Sequence, residues 1–171
     1  MTVLVDPSAG PAVPYRSTPR PCIPQINPST GLSTDYLNHF TEAFMILGAL
    51  RTMPECAEDL KAWRAKTYCE HFANSYFADR DTVIAAYWAA PAEVREELER
   101  ISETLNSVLS STRDVMIQCS DAPNADELAQ RALDWLKPLI DRMAAVINGT
   151  ARGRVPDHVS TQAAVDALFN R

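Results

Sequence analysis

Histidine, glycine and cysteine are scarce in this chain, and each scarcity removes a class of chemistry. The five glycines form no phosphate-cradling loop, so nucleotide-dependent chemistry is not indicated. The four cysteines, Cys22, Cys56, Cys69 and Cys119, make neither a CxxC pair nor the framework of a secreted domain. Free thiols in a reducing compartment are the expectation, the last three as small buried hydrophobes. Only His39, His71 and His158 offer an imidazole base. The one local thiol–imidazole pair, Cys69 and His71, is two residues apart on an expected helix and so points in different directions. A basic stripe is also missing. Net charge is -6 and the 16 Lys and Arg residues are scattered, which argues against nucleic acid as a partner. No apolar run is long enough to cross a bilayer, and the opening MTVLVDPSAGPAVPYRS is interrupted at Pro7 before a signal-type apolar region can form. A cytoplasmic protein with no membrane partner is expected. Strand-type alternation is lacking, which points to an all-α fold.

What the chain does contain is helical periodicity between two unlike ends. Residues 1–30 carry seven of the twelve prolines, which remove amide donors and push preceding residues into extended conformations. A disordered arm is expected there. Residues 31–149 read as one helical domain, residues 150–158 as a flexible linker and residues 159–171 as a tethered amphipathic helix.

Within the domain, Thr34 is placed to cap a first helix on which Tyr36, Leu37, Phe40, Phe44, Leu47 and Leu50 recur at helical spacing. Pro54 suits the first turn of a second helix running through Leu60, Trp63, Tyr68, Phe72 and Tyr76 to about Phe77. Asp79 can cap a short third helix ending at Pro91. The fourth is the longest, from Ala92 to about Cys119, with Val94, Leu98, Ile101, Leu105, Val108, Thr112 and Val115 at alternating three-four spacing. The fifth, from Ala125, presents Leu128, Leu133, Leu136, Ile140, Met143 and Ile147 and ends at Gly149; Pro138 is expected to bend it. The last two form a long antiparallel hairpin in this reading, and the whole is expected to be four-helix-bundle-like.

Two constellations within the domain could carry chemistry. Asp-x-x-x-Gln spacing occurs twice, at Asp114–Gln118 and Asp126–Gln130, and puts carboxylate and carboxamide one turn apart on one helix face. The first pair continues a polar stripe, Glu97, Arg100, Thr104, Ser107 and Ser111, that is expected to face solvent. A carboxamide donates and accepts at once, so it can aim a water at an acyl phosphate without changing protonation. His39, Glu42 and His71, on adjacent helices, are the alternative as metal ligands. Their order departs from the Glu-x-x-His pattern of carboxylate-bridged bundles, and the expectation is that the protein holds no metal of its own.

The C-terminal stretch is more specific. Ser160 can cap a helix with Ala164, Val165, Leu168 and Phe169 on one face and Gln162, Asp166 and Asn170 on another. A helix this short is marginal alone and should order on a partner. Thr161-Gln162-Ala163-Ala164-Val165-Asp166-Ala167-Leu168-Phe169-Asn170 resembles the peptides that bind the chemotaxis receiver CheY, including the one ending the phosphatase CheZ. Thr161 stands where those peptides have Ser, and Phe169 where they have a second Leu. The layout of helical hairpin, linker and terminal peptide is also similar to CheZ. The resemblance implies a CheY-like response regulator as partner, contacted by Gln162, Val165, Asp166, Leu168 and Phe169, and a possible homodimer. It also implies an aspartyl-phosphate phosphatase in which Gln118 orients water and Asp114 pairs with a receiver lysine, with Gln130 and Asp126 as the second choice. The Mg2+ of that reaction belongs to the receiver. Beyond this terminal peptide and the layout, the body of the chain shares only the Asp-x-x-x-Gln spacing with CheZ. A non-enzymatic scaffolding or dimerisation protein is the alternative.

Overall fold

A computed structural model describes residues 25–118 and 125–151. Helix accounts for 73 % of them and no strand occurs among them; an isolated bridge joins Ile26 and Ser33. The order is α1 (Tyr36–Ala49), a 3-10 turn (Pro54–Cys56), α2 (Ala57–Ala62), α3 (Tyr68–Ala73), α4 (Arg80–Trp88), α5 (Ala92–Gln118) and α6 (Ala125–Ile147). No helix among the described residues is long and apolar enough to cross a membrane.

Thr34 does not cap α1. The N-cap position falls on Asp35, which makes no capping bond with its side chain, and Ser33 Oγ accepts from the Asp35 amide at 3.2 Å. Ser33 is fully buried, and its own amide is satisfied there by donating to the Tyr68 hydroxyl at 2.8 Å.

The continuous helix expected from Pro54 to Phe77 is broken into three pieces. Trp63 turns to an extended backbone after α2. At Thr67 a capping box opens α3: Thr67 Oγ1 accepts from the Glu70 amide at 3.3 Å, and Glu70 Oε2 accepts from the Thr67 amide at 2.8 Å. Two orphan amides are satisfied locally, so a fresh start here competes well with continuing the earlier helix. Tyr76, expected on a buried face, lies beyond the end of α3 and is fully exposed.

The connection 63–67 is nevertheless fixed, because its carbonyls are claimed from outside. Tyr36 Oη and Asn106 Nδ2 donate to Lys66 O at 2.8 and 3.2 Å, and Arg113 Nη1 donates to Trp63 O at 3.1 Å. Irregular backbone next to a core must find such partners or be stripped of hydrogen bonds.

The core is continuous from Leu32 through α1 (Tyr36, Phe40, Leu47), α2 and α3 (Leu60, Phe72), α5 (Leu98, Ile101, Leu105, Val108, Leu109) and α6 (Leu136, Met143, Ile147). Each such sealed large side chain contributes roughly 2 kcal/mol of transfer free energy. α6 packs on both α5 and α1, and its small Ala129 and Ala132 are buried where Leu133 and Ile140 are only partly so.

The polar stripe of α5 is not the solvated face expected. Thr104 is buried, and Glu97 is drawn in by Arg100 Nη2 at 2.9 Å and Arg142 Nη2 at 3.1 Å. Burial works to raise the Glu97 carboxyl, but its two guanidinium partners outweigh it and hold the group below the ordinary carboxylate range. Only the last part of the stripe, Asp114 and Gln118, is exposed.

α6 runs through Pro138 and ends in a Schellman arrangement, with Thr150 N on Ala145 O at 2.9 Å and Gly149 N on Val146 O at 3.1 Å. Gly149 takes φ 68°, and a Cβ there would sit 2.8 Å from Ser29 Oγ. The neighbouring Thr30 Oγ1 donates to Ile147 O at 2.6 Å. Residues 25–30, assigned above to the arm, are thus held on the end of α6. The rest of the arm, residues 1–24, lies outside the described residues, as do the linker from residue 152 and the terminal segment.

Candidate functional site

Both acid–amide pairs sit at one end of the molecule. Gln118 is the last residue of α5, and its neighbours Met116 and Ile117 line a cleft of about 260 Å3 together with Asp126 of α6. An adjoining cleft of about 530 Å3 is lined by Asp126 and Gln130 with Leu47, Arg51 and Leu133. All four candidate side chains belong to exposed residues. Within each pair, however, one member is engaged elsewhere. Asp114 accepts from Arg113 Nε at 2.8 Å, with Arg113 Nη2 at 2.7 Å. Gln130 Nε2 donates to Asp134 Oδ1 at 2.9 Å, one turn away from Asp126 in the other direction. Carboxylate and carboxamide are therefore available at the surface without being joined to each other.

His39 and His71 come together, but as part of an aromatic cluster. The His39 ring stacks on Trp63 with centroids 5.0 Å apart and lies 5.8 Å from the His71 ring, while Trp63 Nε1 donates to His39 O at 3.1 Å. Tyr36 packs edge-on against His71 and Phe40 edge-on against His39. Burial, reinforced by His71 and Lys66, lowers the His39 imidazole to about 4, so it is neutral near pH 7. His71 is shifted down by burial and Lys66, against a hydrogen bond to the Asp35 backbone and the charges of Asp35 and Glu42. Among the described residues, no group of three or more His, Cys, Asp or Glu side chains is placed to hold a metal ion. The trio His39, Glu42 and His71 is thus not assembled as a ligand set.

His39 also lines a cleft of about 550 Å3 between α1 and the 63–67 connection, and its Nε2 is buried with no hydrogen-bond partner. Periodicity did not single out Arg64 and Lys66, which border this cleft, because both fall inside a span read as helix. The Thr67-x-x-Glu70 capping box was the available signal that the helix restarts at Tyr68.

Cys56 and Cys69 are free thiols and only half-buried. Burial, then the charges of Glu99 and Glu70, push the Cys69 thiol up, the reverse of an activated nucleophile. Gln162, Val165, Asp166, Leu168 and Phe169 lie outside the described residues, and so do Cys22, Cys119 and His158. The chain matches no family model, and no curated protein or solved structure is significantly similar to it.

Proposed function

We propose that the protein is a regulator that binds a CheY-like receiver domain through residues 159–171. One observation carries this reading: Val165, Asp166, Leu168 and Phe169 stand in the order and spacing of a receiver-binding peptide, behind a Gly- and Pro-containing leash. A short amphipathic helix with two large apolar anchors is a helix-in-groove ligand. The finer architecture in this reading is a four-helix-bundle-like body in which α5 and α6 form a long antiparallel hairpin, available for homodimerisation. Contact between Glu97 near the start of α5 and Arg142 near the end of α6 supports it.

The same reading extends to catalysis at Asp114 and Gln118, both exposed and one turn apart, with Mg2+ supplied by the receiver. Gln118 orients the attacking water and Asp114 pairs with a receiver lysine. A second reading, a scaffold without chemistry, is favoured by the ion pair that already occupies Asp114. Receiver dephosphorylation separates them: the chain accelerates it and Gln118→Ala abolishes the acceleration if the site is catalytic. An unaccelerated rate with the unaltered chain leaves docking alone, and an accelerated rate unchanged by Gln118→Ala excludes Gln118.

A further inference from the structure

The cleft beside His39 is built rather than incidental. One of its lining residues, His39, is only 5 % exposed, and the segment that contributes Trp63, Arg64 and Lys66 to it is fixed through Trp63 O and Lys66 O by side chains of α1 and α5. A buried ring nitrogen with no partner is destabilising, a penalty removed when a polar atom from outside completes it. At about 550 Å3 the cleft lies within the usual size of small-molecule sites.

Its charges select among ligands. Lys66 and Arg64 bring two cations, and Glu42 and Asp59 bring two carboxylates. A simple anion or a simple cation would meet repulsion as well as attraction here, whereas a molecule carrying both charges meets a partner for each. The apolar part of the lining comes from Met45 and Ile46. Met45 is 66 % exposed, and its unbranched side chain can adjust to the shape of a ligand.

We propose that this cleft binds a small zwitterion of the α-amino-acid type with an apolar side chain, its ammonium facing Glu42 and Asp59, its carboxylate facing Lys66 and Arg64, and one polar atom completing His39 Nε2. The neutral imidazole can serve either as donor or as acceptor, according to its tautomer. This site is independent of the terminal segment and of the receiver reading.

The test is titration of the full chain, labelled with 15N-histidine, with L-leucine, using acetate and propylamine as single-charge controls. The expected result is a saturable shift of the His39 ring nitrogen with leucine and none with either control. Lys66→Met and Glu42→Gln, both changes of side chains at the cleft border, are each expected to weaken binding at least tenfold while the thermal midpoint without ligand stays in place. Absence of a saturable leucine shift, the signature of a nitrogen satisfied by water alone, overturns the proposal. So does binding of acetate or propylamine as tight as that of leucine.

Discussion

His39 is the residue whose surroundings speak most directly to solution behaviour. Its imidazole is lowered to about 4 in the folded chain, chiefly by burial, against an ordinary value of 6.5. The unfolded chain therefore takes up the proton first as pH falls. The stability tied to His39 is complete above about pH 6.5 and is lost progressively down to about pH 4. Between pH 7 and pH 5 the loss is about 2 kcal/mol, at 1.36 kcal/mol per unit over the interval in which only the unfolded form is protonated. His71, shifted the same way, adds to it. Urea unfolding at pH 7, 6 and 5 should show this decline, and His39→Leu should flatten it; an unchanged slope in the variant would assign the acid sensitivity to other groups. Glu97 is the second such residue. It accepts from both Arg100 and Arg142, so Glu97→Ala removes the carboxylate that two guanidinium groups share and is expected to lose roughly 2 kcal/mol in the same unfolding assay. A loss below a few tenths would mean that solvent already screens the triad.

Among the elements, the long ones were legible and the broken one was not. The alternating spacing of Leu98, Ile101, Leu105, Val108 and Thr112 placed α5 and its buried seam, because those residues do face the core. The face of α6 around Leu136, Met143 and Ile147 was legible for the same reason. Misreading of the Glu97–Thr104 stripe has a physical cause: Glu97 is drawn inward by Arg142, a residue 45 positions away, which local periodicity cannot see. The span 54–77 failed differently. Leu60, Trp63, Tyr68 and Phe72 are all buried and suggest one helix, but Leu60 reaches the core from α2, Trp63 from the extended link and Tyr68 and Phe72 from α3. The same link lines the cleft at His39 with Trp63, Arg64 and Lys66, so a continuous helix over this span leaves no place for that cleft. Thr67 decides where α3 begins. Thr67→Ala is expected to lower stability by about 1 kcal/mol, with Thr67→Ser restoring most of it. Equal stability of the two variants would show that the 63–67 link is held by Tyr36, Asn106 and Arg113 alone.

At the scale of the molecule, a helical body with a continuous core carries a pair of exposed acid–amide motifs at one end, while Ala151 lies beside the end of α6 at the other. In the receiver reading this division has a purpose. The terminal segment supplies affinity, and the chemistry, if the receiver is also a substrate, belongs to the far end of α5. The two functions are then separable by mutation: Leu168→Ala with Phe169→Ala removes docking and leaves Gln118 untouched. Affinity should depend on the anchors because each buries a large apolar side chain, worth roughly 1.5–3 kcal/mol. The most direct measurement is calorimetric titration of the full chain with CheY-type receivers, with and without phosphorylation. Saturable binding is expected, tighter to the phosphorylated form and weakened at least tenfold by Leu168→Ala with Phe169→Ala; no binding to any receiver of the host, or binding indifferent to those two substitutions, would rule out the terminal segment as a receiver ligand.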